Sequence, residues 1–133
     1  FGSSVGWMAF YSAITYGIRT RGVELMVHLD ETAKLVCNEL LVSSPDLNLT
    51  FECGDMLEHS ISDASVLLLA SQCWDSDLKD LVCAKIEAEL PPGGVVVDYS
   101  ETTLGESVVM KCTAKCDGLG VSWNESQSFY VYE

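Results

Sequence analysis

The amino-acid sequence predicts an α/β domain with a mostly parallel sheet, helices on both faces of that sheet, and a C-terminal antiparallel hairpin. Three observations lead to this fold class. Helix-like and strand-like segments alternate along most of the chain. Residues 66–70 form an uninterrupted apolar run, which is typical of a strand covered on both faces. Beyond Asp98 the helical patterning ceases and two strand-like runs remain.

The first half of the chain contains two units, each a helix followed by a strand. A loop of glycine and serine leads into the first helix, and Gly17 ends that helix. Asp30 offers an N-cap and an acidic first turn to the second helix. The predicted elements are the loop 1–6, a helix over 7–14, a strand over 22–27, a helix over 30–41 and a strand over 47–53.

The second half continues the alternation and then becomes antiparallel. The acidic run Asp75, Asp77 and Asp80 indicates the start of a helix, because the helix dipole favours negative charge there. A turn-rich segment over 115–120 is predicted to join the last two strands. The predicted elements are a central strand over 66–70, a helix over 75–90, a strand over 95–97, and strands over 107–112 and 128–132.

Length and charge narrow the classes of function. A chain of 133 residues can bury the core of one domain. Twenty acidic residues against seven basic ones give a net charge of −13, which repels phosphate backbones and anionic lipids. We therefore expect no direct nucleic-acid or membrane contact through this segment, whereas a basic, histone-like protein substrate is compatible with it. With no apolar run of membrane-spanning length and no signal peptide, we expect an intracellular protein, nuclear or cytoplasmic.

The cysteines and histidines predict no metal site. The six cysteines form no CxxC pair, so we interpret them as reduced thiols in the core. His28 and His59 have no paired ligand at metal-binding spacing. The cysteines are Cys37, Cys53, Cys73, Cys83, Cys112 and Cys116.

The candidate chemistry lies at the strand ends. In a doubly wound sheet, ligands bind outside the carboxyl ends of the strands, and glycines in the first loop allow the backbone to approach the ligand. Gly2 and Gly6 occupy that loop, and Glu24 stands 18 residues after Gly6, where an acidic residue commonly accepts ribose hydroxyls. Asp55, after the next strand, is placed to accept from an adenine amino group. Because Ser4 replaces the middle glycine of the nicotinamide fingerprint, a dehydrogenase is less favoured.

From Gly2 to about Tyr132 the sequence resembles the disruptor-of-telomeric-silencing family, the non-SET histone lysine methyltransferases, which have a Rossmann-like (class I) S-adenosylmethionine-dependent fold. Residues 2–6 look like that family's cofactor loop, and residues 120–123 look like its closing hairpin. The other matching segments are residues 22–24, 51–57, 64–69, 92–97 and 128–130. The resemblance covers nearly all of this chain.

The resemblance implies S-adenosylmethionine as cofactor and a protein lysine as methyl acceptor. Gln72 stands near the position where the family has an asparagine that helps shape the lysine site. In the family, aromatic residues form the wall of the channel for the substrate lysine. The implied cofactor-binding residues are Gly2, Ser3, Ser4, Gly6, Glu24, Asp55, Met56 and Ser71. The implied catalytic residues are Gln72, Trp123 and Phe129. A methyltransferase acting on a small molecule and a catalytically degenerate binding module remain alternatives.

Three features differ from the family. After the fourth strand the family has an Asn-Asn-Phe stretch, whereas residues 71–74 stand there in this sequence, with Gln72 as an amide one methylene longer than the family's asparagine. In the family a strand ending in an acidic residue precedes the cofactor loop, and this sequence begins after that strand. We therefore expect one methyltransferase domain over residues 1–133 that lacks its first strand. The basic nucleosome-binding extensions of the family have no counterpart in this acidic segment.

Overall fold

The computed structural model describes residues 1–105, 107–121 and 124–133. The chain forms two compact units, Phe1–His59 and Ser60–Glu133. The expectation of a single domain over the whole chain stays a prediction. None of the helices in the described ranges is long and apolar enough to cross a lipid bilayer.

Unit 1 is a parallel strand pair with two helices. β1 and β2 pair in parallel, with Thr20 opposite Leu49 and Glu24 opposite Cys53. The helix between them supplies the crossover that a parallel pair requires. The elements are α1 (Trp7–Tyr16), β1 (Thr20–Glu24), α2 (Val27–Ser43) and β2 (Leu49–Cys53).

The core of unit 1 lies between its helices and β2. The rings of Phe10 and Phe51 meet with their centroids 5.1 Å apart. Each buried side chain of this size stabilises the fold by roughly 1.5–3 kcal/mol. The buried cluster consists of Ala9, Phe10, Ala13, Ala33, Cys37, Leu49 and Phe51.

The junction between β1 and α2 differs from the prediction. The strand ends at Glu24 instead of Val27, because the Glu24 carboxylate accepts the Met26 N–H at 3.0 Å and turns the chain. α2 begins at Val27, and its N-cap is Met26. Asp30 is therefore not the N-cap; it lies buried in the first turn and pairs with Lys34 at 2.7 Å.

Unit 2 contains a four-stranded mixed sheet in the order β3-β4-β6-β5. β3 and β4 are parallel, and β6 runs antiparallel to both of its neighbours. The predicted fold class, α/β with parallel pairing and a C-terminal antiparallel hairpin, is confirmed. The elements are β3 (Val66–Leu69), a 3-10 turn (Ser71–Cys73), α3 (Ser76–Glu89), β4 (Val95–Asp98), β5 (Cys112–Val121) and β6 (Asn124–Tyr132).

The acidic helix start in unit 2 is confirmed, and the hairpin differs from the prediction. Asp75 is the N-cap of α3, and its side chain accepts the Leu78 N–H. The segment over 115–120 belongs to β5 instead of forming the turn, because Gly118, at φ +72°, lies where the pairing register shifts between Cys116 and Leu119. Such a bulge accommodates glycine inside a strand. Residues 107–111 form no strand.

The interpretation of all six cysteines as core thiols is wrong. They are free thiols, but Cys37 alone is buried and Cys83 is half-buried. Cys112 and Cys116 lie on β5, which is the edge strand of its sheet and is exposed along nearly its whole length. Cys53 and Cys73 are exposed as well. The sequence neighbours of Cys112 and Cys116 did not indicate burial, because β5 is an edge strand whose two faces are both exposed.

Candidate functional site

The glycine and serine loop of unit 1 folds back onto the end of β1. Gly2, Ser4 and Gly6 have φ values of 68°, 52° and 87°, all in the left-handed region. The Ser3 N–H donates to the Val23 carbonyl at 3.0 Å, and the Gly6 N–H donates to the Ser3 carbonyl at 2.9 Å. Left-handed backbone costs a non-glycine residue about 1–2 kcal/mol, so Ser4 is held there by its surroundings. The loop is a strained, closely packed turn at the start of α1.

Glu24 is the carboxylate at the centre of this turn. The residue is 8% exposed, and Oε2 accepts the Ser4 N–H at 2.7 Å while Oε1 accepts the Met26 N–H at 3.0 Å. An ionised carboxylate has about four acceptor positions on its two oxygens. Counting donors among the described residues, each Glu24 oxygen therefore keeps one position with which it can accept a hydroxyl of a bound molecule.

Two glycines let the loop approach the strands. A Cβ on Gly6 would lie 2.5 Å from Phe51 Cζ, and a Cβ on Gly22 would lie 2.9 Å from Ser3 Oγ. Ser3 Oγ is buried, and it has no hydrogen-bond partner among the residues that the structure describes. Leaving a buried hydroxyl unpaired costs about 1–3 kcal/mol, which a polar group bound in the loop can recover.

The turn after β2 is hydrogen-bonded to the carboxyl end of β1, where Glu24 lies. The Gly54 N–H donates to the Glu24 carbonyl at 3.0 Å. Asp55 is exposed, and its Oδ1 accepts the Leu57 N–H at 2.9 Å. The structure thus brings the predicted cofactor residues of unit 1 to one place: Gly2, Ser3, Ser4, Gly6 and Glu24, with the turn that carries Asp55 and Met56 attached.

His59 takes up a position beside that turn that the sequence did not reveal. Its Nδ1 lies 2.7 Å from Glu52 Oε2, and its Nε2 lies 2.8 Å from the point where a Cβ on Gly54 would stand. Gly54 has a φ of 153° and leaves room for the imidazole. The imidazole ring is therefore oriented by a carboxylate on one nitrogen.

Unit 2 has its own polar centre at the ends of β3 and β4. The Ser71 hydroxyl donates to Asp98 Oδ1 at 2.5 Å, and the Thr103 hydroxyl donates to Ser71 Oγ at 3.0 Å. Ser71 and Asp98 are fully buried, and Asp98 Oδ2 has no partner within the described part of the chain. Ser71, predicted to bind the cofactor, therefore has its hydroxyl engaged by Asp98.

Asp98 was missed, although the signal that marked Glu24 was present. Glu24 lies within the predicted strand over 22–27, and Asp98 directly follows the predicted strand over 95–97. In the structure each of these acidic residues ends its strand. The Tyr99 N–H also donates to Asp98 Oδ1, at 2.7 Å. Burial, and then the nearby Asp98 carboxylate, raise the pKa of the Tyr99 phenol above its ordinary value.

A chain of side-chain amides lies above this buried centre. Gln72 Nε2 donates to Gln127 Oε1 at 3.1 Å. Gln127 Nε2 donates to the carbonyls of Tyr99 at 3.2 Å and Ser128 at 2.8 Å. The Tyr99 and Phe129 rings lie 4.8 Å apart and are tilted by 55°. Of the predicted catalytic residues, Gln72 and Phe129 thus belong to one cluster, whereas Trp123 lies outside the described residues.

The comparisons establish the fold. The chain matches no protein-family model, and it matches no curated protein. Among solved structures it is similar to an RNA methyltransferase from Salinibacter ruber in complex with S-adenosyl-L-homocysteine, with TM-score 0.75, 23% identity, and coverage of 98% of this chain and 74% of that one.

The chain is also similar to the glycopeptide N-methyltransferase MtfA complexed with S-adenosylmethionine, with TM-score 0.75, 12% identity, and coverage of 99% of this chain and 78% of that one. The methyltransferase SibL in its apo form gives TM-score 0.71 and 13% identity, with coverage of 99% and 48%. The fold is therefore that of the Rossmann-like class I methyltransferases. The narrower resemblance to the histone lysine enzymes stays a prediction.

Proposed function

We propose that this chain is an S-adenosylmethionine-dependent methyltransferase. The observation that carries the proposal is the Glu24 carboxylate, which the Ser4 and Met26 N–H groups hold at the mouth of the glycine loop. Its two remaining acceptor positions suit the two vicinal hydroxyls of a ribose. The fold shared with methyltransferases that bind this cofactor or its product adds support.

The residues of unit 1 fit the parts of such a cofactor. S-Adenosylmethionine supplies an electrophilic methyl group on a sulfonium sulfur. Glu24 would hold the ribose, and the unpaired Ser3 hydroxyl would donate to, or accept from, a polar group of the ligand in the loop. Asp55 would accept from the adenine amino group, with Met56 beside it. Gly2 and Gly6 would keep the backbone close enough for these contacts.

For the acceptor, we propose an amine, and specifically a protein lysine in a basic, histone-type segment. The net charge of −13 attracts such a segment and disfavours RNA. Gln72 and the Tyr99–Phe129 ring pair in unit 2 provide an amide beside an aromatic wall. An aromatic wall desolvates the incoming ammonium and lowers its pKa, which favours the nucleophilic free amine.

Calorimetric titration of the purified protein with S-adenosylmethionine and with NADH tests the cofactor. We expect the methyl donor to bind and NADH not to bind. Glu24→Gln should weaken that binding about tenfold or more, because hydrogen bonds to a charged group contribute about 1.5–3 kcal/mol. Glu39→Gln, at an exposed glutamate on α2, makes the same charge change and should leave the affinity unaltered.

Circular dichroism of each variant establishes that the titrated protein is folded. If folded protein binds NADH or neither ligand, the proposal is wrong. Transfer of a labelled methyl group then decides the acceptor class. We expect transfer to a lysine-rich histone-type peptide and none to the same peptide with arginine in place of lysine. Labelling of an RNA oligonucleotide or of a small-molecule amine in place of the peptide would refute the lysine assignment.

A further inference from the structure

We infer that Gln127 is a positioning residue that fixes the orientation of the Gln72 carboxamide, so that Gln72 presents its carbonyl oxygen Oε1 to an N–H of the methyl-accepting nitrogen. The inference rests on the proposed function for the identity of the acceptor. The geometry that carries it lies entirely within unit 2 and concerns two residues separated by 55 positions in the sequence.

The orientation of the two amides follows from their partners. The nitrogen and oxygen of a glutamine amide are nearly interchangeable in shape, so the hydrogen-bond network must assign them. The side chain of Gln127 faces two backbone carbonyls, those of Tyr99 and Ser128, which can only accept. Its NH₂ group must therefore point at them, and its Oε1 accepts from Gln72 Nε2 at 3.1 Å and from Asn124 Nδ2 at 3.4 Å. Gln72 in turn must give its NH₂ group to Gln127.

The consequence is a free carbonyl acceptor on Gln72. With Nε2 committed to Gln127, Oε1 lies on the other side of the amide, and none of the described residues donates to it. Gln72 is exposed, so an incoming ligand can reach this oxygen. A carbonyl oxygen selects a ligand that carries a donor. A rotated amide would instead present NH₂ and repel such a ligand.

The surroundings hold this arrangement in place. Ser71, the residue before Gln72, is anchored by Asp98 and Thr103 beneath the cluster. Gln127 is half-buried, which limits competition by water for its carbonyl partners. Tyr99 is held on both sides, since its N–H donates to Asp98 and its carbonyl accepts from Gln127.

A nitrogen that retains an N–H fits this acceptor. One N–H of a deprotonated amine donates to Gln72 Oε1, which leaves the lone pair free. The lone pair forms the new N–C bond as the S–C bond of the sulfonium donor breaks, and the donor leaves as a thioether. The proton that the methylated nitrogen sheds goes to water, because a carboxamide is too weak a base to keep it. The acceptor class is thus a primary or secondary amine.

Side-chain amide NMR of the protein tests the positioning without relying on turnover. In wild type we expect separate, dispersed NH₂ signals for Gln72 and Gln127. Gln127→Ala should move the Gln72 signal to the shift of a solvated glutamine. Gln72→Ala should leave the Gln127 signal dispersed, because its two carbonyl partners remain. Thr113→Ala, elsewhere on the same hairpin, should change neither signal. A Gln72 signal that is unmoved by Gln127→Ala would overturn the inference.

Two matched ligands test what Gln72 recognises. We expect Nα-acetyl-lysine methylamide to shift the Gln72 signal, and its Nε-trimethyl form, with equal charge and no N–H on that nitrogen, to leave the signal in place. The response to the unmethylated probe should disappear in Gln127→Ala. Equal responses to both ligands, or none to either, would refute the assignment. A normal NMR result beside a failure to bind S-adenosylmethionine would refute the proposed function and leave the positioning intact.

Discussion

The two units build their polar centres in different ways. In unit 1 the centre is mostly backbone, since N–H groups of Ser4 and Met26 meet one carboxylate, Glu24. In unit 2 it is mostly side chains, which come from the ends of β3 and β4, from within β6 and from the loop that carries Thr103. A polar centre made of backbone groups is destabilised by substitutions that change the allowed φ values or add side-chain volume. A centre made of side chains is sensitive to the loss of a single polar atom.

The largest effect of a substitution is expected at the glycine loop. Gly6→Ala places a Cβ 2.5 Å from Phe51 at a φ of 87°. We expect unit 1 to lose about 2–4 kcal/mol of unfolding free energy from backbone strain and overlap together, measured by urea denaturation. Gly17→Ala is the control, because it has a φ of 64° and open space, and should cost only about 1–2 kcal/mol. Equal losses would show that the loop is not closely packed.

The second-largest effect is expected when Asp98 is replaced in the side-chain centre of unit 2. Asp98→Ala removes the acceptor of the Ser71 hydroxyl and of the Tyr99 N–H. We expect a loss of about 2–3 kcal/mol in unfolding free energy, because buried donors are left unpaired. Asp117→Ala, at an exposed aspartate in β5, should cost much less, because solvent screens the interactions of an exposed carboxylate. If Asp98→Ala left the unfolding free energy unchanged, the cost of burying the unpaired Oδ2 would equal the stabilisation from the hydrogen bonds that Oδ1 accepts.

A titration at alkaline pH tests whether the Tyr132 phenol of unit 2 is buried. Burial of the phenol, and then nearby negative groups, raise the pKa of Tyr132 to about 12. Because the folded pKa lies above the unfolded value near 10, this residue supports folding below pH 10 and loses that contribution as the pH rises toward 12. Absorbance at 295 nm should show a tyrosine transition near pH 12, and Tyr132→Phe should abolish that transition. A wild-type curve with all transitions near pH 10 would contradict the burial.

The smallest effect is expected from the ion pair of Glu89 with Lys85, which is lost at acidic pH. The Lys85 ammonium at 2.6 Å, and then the Ile61 N–H, hold the pKa of Glu89 below its ordinary value. Its contribution to stability is present above the unfolded pKa and is lost as the pH falls through the folded one. Glu89→Gln should lower the Tm by a few degrees or less at pH 7, and the difference should shrink as the pH falls through the lowered pKa of Glu89. Glu39→Gln, in unit 1, should show no such pH-dependent difference.

The contrast between the units also explains what the sequence could predict. The loop from Gly2 to Gly6 and the acidic residue Glu24 follow from local patterns, because glycine spacing and the end of a strand are visible in a short window. The network of Gln127 was not predictable, since its partners Gln72 and Tyr99 are brought to it only by the sheet order. Asp98 was predictable in principle from the signal that identified Glu24.

The errors in the elements have the same physical origin. The apparent turn over 115–120 became part of β5, because pairing with β6 absorbs Gly118 in a register shift. The helix start at Asp30 moved to Val27, since the Glu24 carboxylate captures the Met26 N–H and reverses the chain earlier. The first contact comes from the neighbouring strand β6 and the second from a carboxylate two residues away, and in both places a specific hydrogen bond overrode the preference that the sequence pattern indicated.

The sequence separation of Gln72 and Gln127 also determines how long after Gln72 the ribosome synthesises Gln127. A ribosome that adds about 5–20 residues per second needs roughly 3–11 s to travel the 55 residues between them. Ser4 and Glu24, by contrast, are separated by 20 residues, and the ribosome makes both well before Gln127. A nascent chain can therefore have a finished glycine loop while the Gln72 amide still turns freely. We expect ribosome-bound chains stalled before Gln127 to be able to close the loop of unit 1 but not to orient that amide.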